Sequence, residues 1–223
     1  MIQRHNAIRD WLEAWIARFT GRPTATEEYV VAWNRPVKDA AGQPVWEEAA
    51  VGPRRLDENG VLVDVQGYQV DAEGYRLNAA GARVQKVERA KLDVAFFDGE
   101  GRRAYADVAV TSAATTSADN LAKRARTDGS AASDMVRTKR SKCPAAKSPA
   151  TPTVPFVVET LGRLSPEAHG LLGAVAPADK KVRSRVLRTA KQTLSVLVQT
   201  GLAELLLSAE PGRGLTAPAA AAA

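Results

Sequence analysis

The sequence predicts an α/β protein, a mixed β-sheet flanked by helices. Three observations carry that expectation. An apolar stripe repeats every three to four residues near the N-terminus. Two strongly apolar segments flank a glycine-rich turn at mid-chain. A long amphipathic stretch, residues 179–208, closes the ordered part.

The elements follow in order. Over residues 6–19, Ile8, Trp11, Leu12, Trp15, Ile16 and Phe19 share one helical face. Asn6 is the expected N-cap, and Gly21 and Pro23 stop the helix. Residues 26–33 read as a strand. Residues 36–88 change texture: turn signals recur at 39–42, 57–60, 71–74 and 78–81, separated by short apolar runs. They read as a β-meander inserted into the sheet domain. The repeated Asp-x-x-Gly lacks the ligand set of a calcium loop. Residues 92–97 and 104–110 form the strong strand pair. Residues 112–150 hold a basic loop and a helix near 133–142, closed by Pro144. Residues 153–160 give a further strand ending at Gly162, and 179–208 a helix that Gly201 bends. One domain is expected over 1–210, with an Ala/Pro-rich disordered tail at 211–223.

Composition narrows the function classes. No apolar run approaches the roughly 20 residues of a membrane span. The polar N-terminus lacks the apolar stretch of a signal peptide. A single cysteine, Cys143, excludes an internal disulfide, and with His5 and His169 it is too little for a structural zinc site. An intracellular, nuclear setting is expected. The net charge is +6, and residues 121–150 hold that whole surplus: Lys123, Arg124, Arg126, Arg137, Lys139, Arg140, Lys142 and Lys147 against Asp128 and Asp134. Such a cluster attracts polyanions, or is simply a solvated loop.

The strand pair carries the candidate chemistry. With Gly99-Glu100-Gly101 as a three-residue loop, Asp93 lies directly opposite Asp107 on the neighbouring strand; a four-residue loop would put the two on opposite faces of the sheet. Opposed carboxylates repel. A divalent cation offsets that cost, as does a raised pKa on one member or water at the sheet end.

The flanks add a resemblance. Asp93, thirteen residues, then Asp107-Val108-Ala109-Val110 looks like the core of the PD-(D/E)XK restriction-endonuclease-like superfamily. Arg4-His5-Asn6-Ala7-Ile8, the stretch from Arg137 to Pro144, and the stretch from Val154 to Gly162 accompany it. Together, over roughly residues 4–20 and 89–165, they resemble the restriction-like endonuclease domain at the C-terminus of non-LTR retrotransposon polyproteins. The resemblance implies a restriction-endonuclease-like core and a metal-dependent DNA endonuclease. Asp93, Asp107 and the Val108 carbonyl would hold Mg²⁺ or Mn²⁺. The superfamily lysine falls on Ala109, a departure. In the retrotransposon branch that lysine comes from the following helix, which makes Lys139 and Lys142 candidates, with Lys123 a weaker third. Glu159 would face the site from the next strand, and Glu13 matches an accessory acid. Lys123, Arg124, Arg126, Arg137 and Arg140 would contact DNA, or RNA; no membrane or small-molecule substrate is implied. His5 is open to the site, to DNA or to a surface role. A catalytically inactive remnant that only binds nucleic acid is the alternative.

Overall fold

The computed structural model describes residues 2–112, 114–115, 117–142 and 152–208. Expectations for Cys143, Pro144, Lys147 and the 211–223 tail lie outside them. In chain order the elements are α1 (Ile2–Thr20), β1 (Ala25–Tyr29), a 3₁₀ turn (Val31–Trp33), β2 (Arg35–Pro36), β3 (Arg55–Leu56), β4 (Leu62–Val63), β5 (Val87–Glu88), β6 (Lys91–Phe97), β7 (Arg103–Thr111), α2 (Ala118–Arg126), α3 (Ser130–Lys142), β8 (Thr153–Glu159), α4 (Pro166–Val175) and α5 (Lys180–Ser208). The chain divides into two compact units, one from residues 1–28 and 92–223, the other Tyr29–Lys91.

The larger unit is a mixed sheet flanked by helices. Its strand order is β1-β6-β7-β8; β6 and β7 are antiparallel, β7 and β8 parallel. Strand alternation sends Val94, Phe96, Ala104, Ala106, Val108, Phe156 and Val158 to one face. There they meet Ile8, Leu12 and Ile16 of α1, Leu172 of α4 and Leu194 and Val198 of α5, the main core. The opposite face packs Ala109 and Val157 against Ala132 and Val136 of α3.

Several boundaries differ from the sequence reading, each for a local reason. The first helix starts at Ile2, so Asn6 lies inside it rather than capping it. The strand expected over 26–33 ends at Tyr29 and gives way to the 3₁₀ turn. The helix expected at 133 begins at Ser130, after Gly129 at φ 73°. Two unforeseen helices start at serine caps, with Ser117 Oγ accepting from Asn120 N and Ser165 Oγ from Ala168 N. At Gly201 the reason for glycine is space: a Cβ there would sit 2.0 Å from Arg4 Cγ.

The Tyr29–Lys91 unit is built from turns. From Asp57 they recur every seven residues at Asp57, Asp64, Asp71 and Asn78. In each, the glycine three residues on donates its N–H to the backbone carbonyl of the Asp or Asn. Each side-chain Oδ1 takes two further amides, at positions two or three and four beyond. Successive turns are linked by Val70 N to Leu62 O, Leu77 N to Gln69 O and Val84 N to Arg76 O, at 2.8–3.0 Å. Arg76 stacks over Tyr68 and bonds Asp64; Arg83 repeats the pattern with Tyr75 and Asp71. These carboxylates are spent on amides and guanidinium groups, consistent with turn formation rather than calcium binding.

Two predictions follow from the fold. Gly162 sits at φ 84°, where a Cβ would lie 2.1 Å from Ser195 Oγ and 2.9 Å from its Cα. Gly162→Ala should therefore lower stability by roughly 2–4 kcal/mol in urea unfolding followed by circular dichroism. Burial alone would raise the Asp64 pKa. Hydrogen bonds from Ala50, Tyr68 and Gln66 amides and from Arg76 instead hold it at about 2, below its ordinary 3.8. A depressed folded pKa gives stability that is present above the unfolded value and lost as pH falls through the folded one. The Gly67 and Tyr68 amide resonances should collapse over that acid window, and Asp64→Asn should remove this pH dependence.

Candidate functional site

The hairpin places the acidic pair. Gly101 adopts φ 80°, closing the three-residue connection. The register runs Phe97–Arg103, Phe96–Ala104, Ala95–Tyr105, Val94–Ala106, as the loop length predicts. Asp93 and Asp107 are the next positions outward, on the face that α3 covers. Both side chains are mostly buried, 16% and 15% exposed. Beyond the last pair the Val108 N–H donates to Asp93 Oδ2 at 2.7 Å, so a carboxylate ends the ladder.

Two basic side chains converge on the pair. Lys139 extends from α3 and sets Nζ 2.6 Å from Asp107 Oδ1. His5, in the first turn of α1, sets Nε2 3.2 Å from Asp93 Oδ2 and Nδ1 3.3 Å from Asn6 Oδ1. Both ring nitrogens thus face oxygen acceptors, the arrangement an imidazolium satisfies. The Asp93 carboxylate raises the His5 pKa above its ordinary value, while burial and the Lys139 charge lower it. Asp107 is raised as well, first by burial and further by Asp93, with Lys139 pulling the other way. Ionising Asp107 therefore costs stability as pH rises through its folded pKa.

The other expected residues divide. Val108 meets the site through its amide. Lys142 ends α3, and its side chain is outside the described residues. Glu159 belongs elsewhere. It pairs with Thr111 while Asp107 pairs with Pro155, which puts it about 13 Å along the sheet at ordinary strand rise. There its buried carboxylate accepts the Ala132 N–H at 3.0 Å in the first turn of α3, where a helix dipole favours an anion. Glu13 takes a hydrogen bond from the Thr24 hydroxyl. Of the basic residues, Lys123 and Arg137 both reach Asp134, at 3.1 and 3.3 Å. Arg140 pairs with Glu167 at 3.0 Å, and Arg124 donates to the Ser112 carbonyl. Arg126 is exposed and carries no recorded partner among the described residues.

His5 is the contribution that residue types alone did not single out. The only signal for it is its place in Arg4-His5-Asn6 at the start of the first helix, since nothing in its spacing points to Asp93.

Two carboxyl groups on one strand-paired face, hydrogen-bonded to each other, are of the donor type a hard divalent cation takes. Among the described residues no three His, Cys, Asp or Glu side chains gather as a metal-binding group. No helix of the described residues is long and apolar enough to cross a membrane. No known protein family, curated protein or solved structure matches the chain.

One measurement checks the site's electrostatics. Lys139→Met removes the cation that lowers the Asp107 pKa, so the carboxyl ¹³C titration of Asp107 should move to still higher pH. An unchanged midpoint would mean the ion pair does not form in solution.

Proposed function

We propose that the larger unit is a metal-dependent DNA endonuclease domain of retrotransposon origin, with a restriction-endonuclease-like core, that nicks DNA by phosphodiester hydrolysis. The observation that carries this reading is the convergence of Asp93, Asp107 and Lys139. Ala109 stands where the superfamily expects its lysine, and a helix-borne ammonium touches the second acid instead. Asp93 and Asp107 would hold Mg²⁺ or Mn²⁺, with the Val108 carbonyl a third donor. That ion would supply a lowered pKa for bound water and charge stabilisation at phosphorus.

The chain's own groups then have separate tasks. Lys139, beside Asp107, offsets negative charge on the attacked phosphate and orients the water whose oxygen bonds to phosphorus. The bond from phosphorus to the 3′ oxygen breaks, and that oxygen gains a proton. His5 and the Val108 amide fix Asp93 in place. The basic residues of α2 and α3 face the DNA. A nuclear setting and a polyprotein source accompany this proposal.

The second reading, a remnant that binds nucleic acid without cutting it, has one observation in its favour: both carboxylates are already engaged by basic side chains. Supercoiled plasmid with Mg²⁺ or Mn²⁺ separates the two. Nicking is expected from the wild type, abolished by EDTA or Asp107→Ala and reduced about 10²-fold or more by Lys139→Ala. Intact plasmid under every metal condition would leave only the binding reading.

A further inference from the structure

Beside α3, two open cavities of about 560 Å³ each adjoin. Ser133 and Pro166 line both, so they form one elongated groove between α3, the start of α4 and the middle of α5. Five basic side chains border it: Arg137 and Arg140 from α3, Arg163 from the turn after β8, His169 from α4 and Lys191 from α5. None of the last three belongs to the basic segment that the sequence marks out.

The charge in this groove is only partly compensated. Arg140 pairs with Glu167 and Arg137 with Asp134, both largely exposed arginines. Such pairs contribute little to stability, so a phosphate can take the carboxylate's place at small cost. Arg163 pairs with Asp128, which is more exposed still. His169 and Lys191 have no ion pair among the described residues. His169 has its pKa lowered by burial and by the charges of Lys191 and Arg163, so positive potential concentrates here. Small residues floor the groove. A Cβ on Gly129 would lie 2.9 Å from Arg163 Nε and displace it.

We propose that this groove seats the phosphate backbone of a nucleic-acid strand. Its shape favours a polymer over a small anion. From Gly129 to Arg140 the helix spans about 17 Å at the usual rise. One strand of a duplex presents about five phosphates over that length. The groove runs along α3 to Ser141, on the same helix that carries Lys139. The inference takes its ligand class from the nucleic-acid reading and does not depend on cleavage.

The test uses the full chain and a fluorescein-labelled DNA duplex in EDTA, where cleavage plays no part. Anisotropy titrations across a salt series should show log affinity falling linearly with log salt. The double variant Arg163→Gln, Lys191→Gln should bind about tenfold more weakly, with a slope shallower by about two, roughly one per side chain. Lys191 is exposed, so Lys191→Glu alone gives a fold-safe second variant with a loss in the same direction, and unchanged circular dichroism certifies both. Wild-type affinity and slope in the folded variants would overturn the proposal, as would displacement of the duplex by polyglutamate at equal charge. A chain that binds through the groove yet never nicks plasmid would sink the endonuclease reading and leave this one standing.

Discussion

Two carboxylates set side by side on a half-buried sheet face repel one another, and burial adds to the penalty. The larger unit resolves that strain with groups drawn from two helices and from the hairpin itself. α3 brings the Lys139 ammonium, α1 brings the His5 ring and β7 itself lends the Val108 amide. The hairpin fixes where the acids are, and the helices are held where their polar groups can answer them. Removing one partner of such a buried arrangement leaves a charge uncompensated, which is costlier than never having built it.

The position of the lysine follows from packing. Ala109 is buried and lies in the small cluster with Ala132, Val136 and Val157 beneath α3. A lysine side chain at 109 would have to emerge through that contact. Small residues on both sides let α3 lie close to the sheet, and this closeness brings Lys139 within 2.6 Å of Asp107. Glu159 holds the other end of the same helix through the Ala132 amide. A carboxylate at one end and an ion pair near the other therefore register α3 on the sheet.

How much of this was legible depended on range. The hairpin register was legible as one of two, because a three-residue and a four-residue loop differ by one step of strand parity, and the observed pairing is that of the three-residue loop Gly99-Glu100-Gly101. The long helices were, because their apolar stripes repeat over several turns. The two short helices were missed, although Ser165-Pro166-Glu167 is a readable start signal and Ser117 a weaker one. Glu159 was expected at the site from the resemblance; it does share a face with Asp107, yet a face is long, and only the parallel register shows how far apart they are. His5 reaches Asp93 across the whole intervening chain, a contact no local pattern encodes. The regularity of the turns was only half seen. Asp64-Val65-Gln66-Gly67 was not among the turn signals read from the sequence, which hid the seven-residue period.

That period gives the Tyr29–Lys91 unit an unusual freedom. Each step from Asp57 to Asn78 closes its own turn and bonds to the next, as in one-dimensional repeats, while residues 45–50 cross-link the later steps through Arg76 N to Glu47 O, Ala49 N to Gly74 O and Glu47 N to Val84 O. Whole steps of seven residues can be gained or lost where the links to residues 45–50 are kept in register. Length in this unit is therefore a variable that evolution can change in quanta of seven residues, while the acidic hairpin tolerates no insertion of even one.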